Sequence, residues 1–283
     1  MLKRQRLLLA LLDRAGGRAT RPWLVHAAFL ASQDRAGWAS SPLYDFVPHA
    51  DGPRSFSLDR ELEALERDGL VAADDDSLAP TPAGRAECVS IDPTHAFALR
   101  GAWHRFGLAD PSGLVARIAR EFPWYAKDPA TARPPAPPAI YTVGYRELSI
   151  DAFLDGLLRR GVGRIVDVRA NPASRRLGFH KSTLRRFAGD VGIAYEHFPR
   201  LGVAKELRAE ATSSGEINRM FEDYAVRVRT QDDDLAAALA LLAERASVLV
   251  CAEPEARDCH RSRLAAALAE RCALPIEHLD LRK

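Results

Sequence analysis

The sequence predicts a chain in two parts: a mainly α-helical first part, and an α/β second part whose mostly parallel sheet is flanked by helices. In the first part, apolar residues recur at helical spacing. In the second, short apolar strands alternate with helices, a pattern typical of right-handed βαβ units. Between them lies the stretch 127–139, which is rich in proline, and we predict a semi-rigid linker there.

Length and composition limit the class of protein. With 283 residues and 47% hydrophobic residues, the chain is long enough for two domains with a core each. A formal net charge of +2 gives no overall field that would mark a nucleic-acid binder. No apolar run reaches the ~18 residues of a membrane span. The charges at Asp13 and Arg14 and the lack of a small-residue cleavage site argue against a signal peptide. The four cysteines form no dense framework, so we predict a cytoplasmic protein with reduced thiols and no membrane partner.

The first part shows a helix followed by a hairpin. Leu58, Leu62 and Leu65 share one helix face, and Gly69 is placed to end that helix. "LVAA" and "SLAPT" flank the turn-forming "DDDS", which predicts a small β-hairpin. A helix, a hairpin and "TPAGR" in this order resemble the winged helix-turn-helix over about residues 1–90. The first predicted domain, 1–126, is therefore a winged helix with a helical extension.

Charge leaves the role of this domain open. Residues 1–100 carry 12 Lys and Arg against 14 Asp and Glu. The candidate recognition helix offers Arg54, Arg60 and Arg67, but acidic residues outnumber them, and acids on a docking helix oppose phosphate contacts. DNA binding and a protein contact, such as a homodimer through this domain, are predicted with equal weight.

The second predicted domain, 140–283, alternates strands and helices. Ser149 is a predicted N-cap and Gly161 a predicted C-terminal stop for its first helix. The predicted strands lie in "AIYTVGY", "RIVDVRA", "IAYEHFP" and "SVLVC", and a terminal segment "PIEHLDL" follows the last helix. The predicted helices lie in "SIDAFLDGLLRRG", "KSTLRRFAGDVG", 215–230, 232–246 and about 261–272.

Ligands of open α/β sheets bind outside the carboxyl ends of the strands. Polar residues gather at these predicted ends, so one edge of the sheet should carry the site. They are Thr142, Gly144 and Tyr145 after the first strand, Asp167 and Arg169 after the second, and Cys251, Glu253, Cys259, His260 and Arg261 after the fourth.

Residues 140 to about 280 closely resemble a bacterial family catalogued as domain of unknown function 488. Its motifs T-x-G-[YH], VDVR-x-x-P-x-SR, F-x-K, LG and C-x-E-x(5)-CHR occur here in order. The resemblance implies an α/β fold and a shared pocket, but it delivers no reaction. Here the LG turn continues as "LGVAKELR", which departs from the family's usual glycine or Asn-Pro. The implied pocket residues are Thr142, Gly144, Asp167, Arg169, Pro172, Ser174, Arg175, Phe179, Lys181, Cys251, Glu253, Cys259, His260 and Arg261.

A basic segment, defined as residues 168–189, contains five arginines and a lysine but no acid. Arginine forks suit phosphate oxygens, so Arg169 and Arg175 are predicted to bind an anion. Arg185 and Arg186 are interpreted as a solvated helix face. Phe179 and His180 offer flat surfaces on which a base could stack. His260 and Arg261 begin a helix, whose free N–H groups favour anions.

Two carboxylates and a cysteine are the predicted catalytic residues. Glu253 has few cations near it in sequence and is the preferred general acid or base. Asp167 either pairs with an arginine or orients a water. Cys251 and Cys259 are interpreted first as buried packing residues. The less favoured alternatives are a sulfur carrier like rhodanese, a zinc site, and a cysteine phosphatase using Cys251. The acidic residues of the loop oppose a phosphatase, and the lack of a C-x2-C pair opposes a zinc site.

Three functions remain open from sequence. The first is an enzyme acting on nucleic acid or a nucleotide, such as a hydrolase that removes a modified base from DNA, with no cofactor and no metal predicted. The second is a DNA-binding regulator whose α/β domain senses a small anion. The third is a sulfur or phosphoryl transferase using Cys251. DNA is the expected partner, with a nucleotide or a small anion as the other ligands.

Overall fold

A computed structural model describes residues 3–34, 43–126, 133–204 and 213–282. The chain forms two compact units, Met1–Ala132 and Arg133–Lys283. The division falls inside the predicted linker, whose residues 127–132 lie outside the described ranges. Within those ranges, no helix combines the length and the apolar character that crossing a bilayer requires.

The first unit is mainly helical, as predicted. Its helices enclose a core of leucine, alanine and aromatic side chains. The described helices are α1 Lys3–Arg14, α2 Arg21–Gln33, α3 Phe56–Arg67, α4 Pro82–Cys88, α5 Pro93–Phe106 and α6 Pro111–Glu121. The described strands form two antiparallel hairpins, β1 Val47–His49 with β2 Gly52–Arg54, and β3 Val71–Ala73 with β4 Leu78–Pro80.

Helix α3 and the hairpin after it confirm the sequence pattern. The Ser55 side chain caps α3 by accepting a hydrogen bond from the Leu58 backbone N–H. Leu58, Leu62 and Leu65 are buried, which places the predicted apolar face on the core. Gly69 follows the helix with a φ of +70°, a conformation that glycine adopts without steric cost.

The second unit contains a five-stranded sheet whose described strands are all parallel, in the order β7-β6-β8-β5-β9. This confirms the predicted α/β class. The strands are β5 Ile140–Gly144, β6 Arg164–Asp167, β7 Ala194–His197, β8 Ser247–Cys251 and β9 Ile276–Leu279. The described helices are α7 Ile150–Arg159, α8 Lys181–Asp190, α9 Ser214–Arg229, α10 Asp232–Glu244 and α11 His260–Ala269.

The central strands of the sheet have apolar middles, Ile165 and Val166 in β6 and residues 248–250 in β8. Every residue of β6 and of β8 is buried, as expected for a parallel sheet inside an α/β unit. Val166 and Leu249 pack in one cluster with Leu264 of α11 and Leu235 of α10. The Ser149 cap of α7 is also as predicted, and Gly161 follows that helix with a φ of +70°.

Residues 133–139, predicted as linker, belong to the second unit and contact other parts of it. The Arg133 guanidinium donates to the carbonyl oxygens of Val191 and Gly192, the latter at 2.9 Å. The Tyr141 hydroxyl donates to the carbonyl oxygen of Pro137 at 2.6 Å. These contacts tie the end of the proline-rich stretch to the body of the sheet.

Candidate functional site

The carboxyl ends of β5, β6 and β8 meet at one edge of the sheet. Gly144 is the register partner of Cys251, and Asp167 is the partner of Val250. The loop after β8 passes so close to β5 that a Cβ at Gly144 would lie 1.8 Å from the carbonyl oxygen of Glu253. Only glycine tolerates this approach, and the strand ends and the loop therefore form one continuous surface.

Asp167 and Arg169 form a buried ion pair at this edge. The carboxylate is fully buried, and the Arg169 side chain is 6% exposed. Arg169 Nε donates to Asp167 Oδ1 at 2.8 Å, while Nη2 donates to Oδ2. The Tyr195 hydroxyl donates to the same Oδ2 at 2.7 Å. Both carboxylate oxygens are therefore engaged by the protein.

This pair explains two pKa shifts. Burial alone would lower the pKa of Arg169, but the bonded Asp167 carboxylate raises it above its ordinary value. Burial raises the pKa of the Tyr195 hydroxyl, and the negative charge of Asp167 raises it further. Both groups keep their protons across the ordinary pH range, so the network is fixed.

The guanidinium of Arg169 also holds the basic segment in place. Its Nη1 donates to the Tyr145 hydroxyl at 2.8 Å and to the carbonyl oxygen of Phe179 at 2.9 Å. The rings of Tyr145 and Phe179 stack with centroids 4.1 Å apart and an interplanar angle of 8°. Phe179 is fully buried, so the expectation of an exposed stacking face is wrong for this side chain. A buried Arg169 with protein partners likewise favours a structural role over direct anion contact.

Unlike the buried Arg169, other cations of the basic segment are exposed to solvent. Arg175, Lys181, Arg185 and Arg186 are exposed, and within the described part of the chain none has a carboxylate partner. Lys181 Nζ lies 2.9 Å from His197 Nδ1, and His197 Nε2 donates to the carbonyl oxygen of Arg169. The half-buried Ser174 accepts a hydrogen bond from the Arg176 backbone N–H rather than facing outward freely.

Glu253 lies on the loop after β8 and is paired with Arg146. Arg146 Nη2 donates a hydrogen bond to Glu253 Oε1 at 2.9 Å, and Arg146 Nη1 forms an ion pair with Oε2 at 2.8 Å. The Glu253 side chain is 13% exposed, against 57% for Arg146. Few cations are near Glu253 in sequence, but Arg146 follows the neighbouring strand β5 and reaches across the edge.

Arg261 is a structural part of the same loop. It is 1% exposed and donates to the carbonyl oxygens of Glu253 and Pro254. Its buried Nε has no hydrogen-bond partner among the described residues. This burial places Arg261 below the surface, where it supports the loop rather than meeting a ligand in solvent.

A pocket of about 470 Å³ opens beside this loop. Its size suits a small ligand. Its rim has mixed charge, because Arg282 pairs there with Glu147, Glu255 and Asp280. At the pocket, His278 Nδ1 lies 2.7 Å from the hydroxyl of the fully buried Thr142. Burial lowers the pKa of His278, and the charge of Arg261 lowers it further.

Cys251, Cys259 and His260 meet in a buried cluster, which we call the sulfur cluster. Cys251 ends β8, Cys259 caps α11, and His260 is the first residue of α11. The Sγ atoms of Cys251 and Cys259 lie 3.7 and 3.8 Å from His260 Nδ1. Burial on its own would raise the pKa of Cys259, but hydrogen bonding by Cys251 and the proximity of His260 and Arg261 lower it well below its usual range. The preferred packing interpretation of the cysteines fits their burial, yet it did not predict this convergence.

Comparison with known families supports the resemblance found in the sequence. Residues 149–268 match the family described as "Domain of unknown function DUF488". The DUF488 segment includes Asp167, Arg169, the basic segment and the sulfur cluster, whereas Thr142, Gly144 and Tyr145 precede it. No curated protein matches this chain.

Sequence reasoning missed three contact residues: Tyr195, Arg146 and His197. Each lies on or just after a strand that borders β6 or β8. Tyr195 and His197 are two residues apart on β7, so they lie on one face of the strand that pairs with β6. Knowledge of the strand order would have connected them with Asp167. Without the order of strands, nothing in the sequence connects them to the DUF488 motifs.

Proposed function

We propose that the second unit binds the phosphate groups of a nucleic acid or nucleotide at the carboxyl edge of its sheet and acts there as a hydrolase. The observation that carries this proposal is the acid-free basic segment. Its exposed cations have no acidic partner among the described residues, so binding a phosphate would not first require breaking an ion pair. Charge-assisted contacts of this kind supply most of the affinity for nucleic acids.

The buried pair of Asp167 and Arg169 supports this proposal by positioning the segment. Arg169 bonds Asp167 on β6 and the carbonyl oxygen of Phe179, just before α8. The chain between them carries Arg175, and α8 carries Lys181, Arg185 and Arg186. In this proposal Asp167 and Arg169 are positioning residues, and the exposed cations make the contacts.

The proposed reaction depends on Glu253. Glu253 lies on the loop after β8, and the next residues of that loop, Pro254 and Glu255, line the pocket. A phosphate that competes for Arg146 would release the carboxylate to accept or donate a proton. Removal of a modified base from DNA is the reaction class we favour, since a positioned carboxylate can both activate water and stabilise a developing positive charge.

For the first unit we propose a winged-helix domain, on the order α1, α2, α3 and the hairpin β3–β4. The cations of α3 and its surroundings are paired with acids: Arg54 and Arg21 with Asp59, and Arg60 with Glu63. These pairs favour a protein-contact role, such as dimerisation, over phosphate binding by this helix. The proposed phosphate contacts are therefore those of the second unit.

Salt dependence of binding tests the phosphate contacts. We expect the full chain to bind a single-stranded oligonucleotide with an affinity that falls as salt rises. In Arg175→Ala and in Arg185→Ala, the negative slope of log K against log salt should become shallower by about 0.7 for each lost phosphate contact. Fluorescence anisotropy across a salt series measures both the affinity and the slope.

Arg245→Ala is the matched control. Arg245 is exposed and lies two residues before the start of β8, at the amino edge of the sheet. Its loss should leave the slope unchanged. Equal slopes in all four proteins would contradict the proposed contacts. Binding without turnover of any modified duplex or nucleotide would instead favour the regulator over the hydrolase.

A further inference from the structure

We call four exposed cations of the basic segment, Arg175, Lys181, Arg185 and Arg186, the phosphate surface. The sulfur cluster is not part of it and has no role in the function proposed above. Its three members come from two elements that are fixed by the fold, the end of β8 and the start of α11. One ligand atom from each residue lies within 4.8 Å of the others, and all three side chains are buried. We propose that Cys251, Cys259 and His260 bind a Zn²⁺ ion, with water in a fourth position.

The distances fit a tetrahedral ion. Zinc bonds of about 2.3 Å to sulfur and about 2.0–2.1 Å to nitrogen place sulfur and nitrogen ligands about 3.6 Å apart. The two measured separations from sulfur to His260 Nδ1 are 3.7 and 3.8 Å. Zinc could therefore bind between these atoms with little movement of the backbone.

The imidazole is oriented as a ligand. His260 Nε2 lies 3.0 Å from the carbonyl oxygen of Val168, which can only accept a hydrogen bond. The proton therefore resides on Nε2, and Nδ1, which lies within 3.8 Å of both sulfurs, carries the lone pair. Metal-binding histidines are commonly held in this way, with the other ring nitrogen donating to a carbonyl or a carboxylate.

Charge and donor type select the metal. Two thiolates and one neutral imidazole around a divalent ion give a site with no net charge, which a buried location tolerates. Thiolate and imidazole donors suit zinc, whereas magnesium and calcium prefer oxygen. Three protein ligands with an open position are typical of catalytic rather than structural zinc sites. Among the described residues, the cluster contains three histidine, cysteine or acidic members and no fourth.

Metal analysis of the full chain tests this inference. Protein purified under reducing conditions, without chelator, should contain about one zinc per chain by mass spectrometry of the metal. Cys259→Ser and His260→Gln should lose most of it. Cys272→Ser is the matched control and should keep its zinc, because Cys272 lies outside the cluster and donates to the carbonyl oxygen of Leu268.

A second measurement uses only the wild-type protein, so it tests the site even if the variants do not fold. Wild-type protein stripped by a chelator and reloaded with Co²⁺ should show a thiolate-to-cobalt charge-transfer band and tetrahedral d–d bands. A wild-type protein that retains no zinc and gives only the spectrum of aqueous cobalt would overturn the site. Loss of the metal with unchanged oligonucleotide binding would separate this site from the phosphate surface, and either proposal can fail without the other.

Discussion

Replacing Asp167 with alanine is expected to lower the free energy of unfolding of the second unit by about 3–5 kcal/mol, the cost of leaving one partner of a buried ion pair alone. The remaining Arg169 guanidinium is 6% exposed and would have no counter-charge beside it. The Tyr195 hydroxyl would lose its acceptor as well. Denaturant unfolding followed by far-UV circular dichroism measures the loss.

The tryptophans identify the unit that is affected. All four, Trp23, Trp38, Trp103 and Trp124, belong to the first unit. Their fluorescence therefore follows that unit, while circular dichroism follows both. We therefore expect the unfolding transition followed by circular dichroism to shift to lower denaturant concentration, while the transition followed by tryptophan fluorescence stays unchanged.

Glu270→Ala is the control for this variant. It removes a carboxylate from the same unit, but from an exposed pair with Arg229. Exposed pairs contribute about 0–1 kcal/mol. If Asp167→Ala costs no more than Glu270→Ala, the buried pair does not hold the basic segment, and its positioning role is wrong.

The second large effect concerns Glu253. Glu253→Gln keeps the size of the side chain and removes its charge and its ability to carry a proton. We expect turnover to fall by about 100-fold or more, the range for a positioned acid or base, while oligonucleotide binding is retained. The assay screens duplexes with modified bases, nucleotides and thiosulfate in parallel, because the reaction class is a proposal.

Glu255→Gln is the matched control on the same loop. Glu255 also pairs with an arginine, Arg282, but it is 48% exposed. Its replacement should leave turnover near the wild-type value. A fully active Glu253→Gln beside an inactive Cys251→Ser would move the chemistry to the sulfur cluster and reject the carboxylate mechanism.

Much of the fold was predictable because local signals and burial agree. The Ser149 cap, the Gly161 stop and the apolar run of β8 are each determined within a few residues of chain. The shared edge was predictable too, since parallel strands bring their carboxyl ends together. The winged-helix class of the first unit stays a prediction, although its helix and hairpin are confirmed.

The contacts within the site were not predictable in the same way. Asp167 and Arg169 are two residues apart in sequence, but Tyr195 comes from another strand, and only the strand order brings it to the carboxylate. Arg146 reaches Glu253 from β5 for the same reason. Side-chain partners across strands depend on register, which one sequence does not reveal.

The sulfur cluster shows a different limit. Cys251 and Cys259 do not have the short spacing of common zinc motifs, so spacing alone argued against a metal. The loop between them folds back, so that the end of β8 and the start of α11 meet. A ligand set assembled by two secondary-structure elements is visible only after the fold is known.

Hydrogen–deuterium exchange of the full chain, with and without a single-stranded oligonucleotide, tests the central claim most directly. If the basic segment binds phosphates, amides of residues 168–189 should exchange more slowly when the oligonucleotide is present, while the amino edge of the sheet around Arg245 should be unchanged. Protection confined to the first unit, or absent from residues 168–189 at saturating oligonucleotide, would contradict the account.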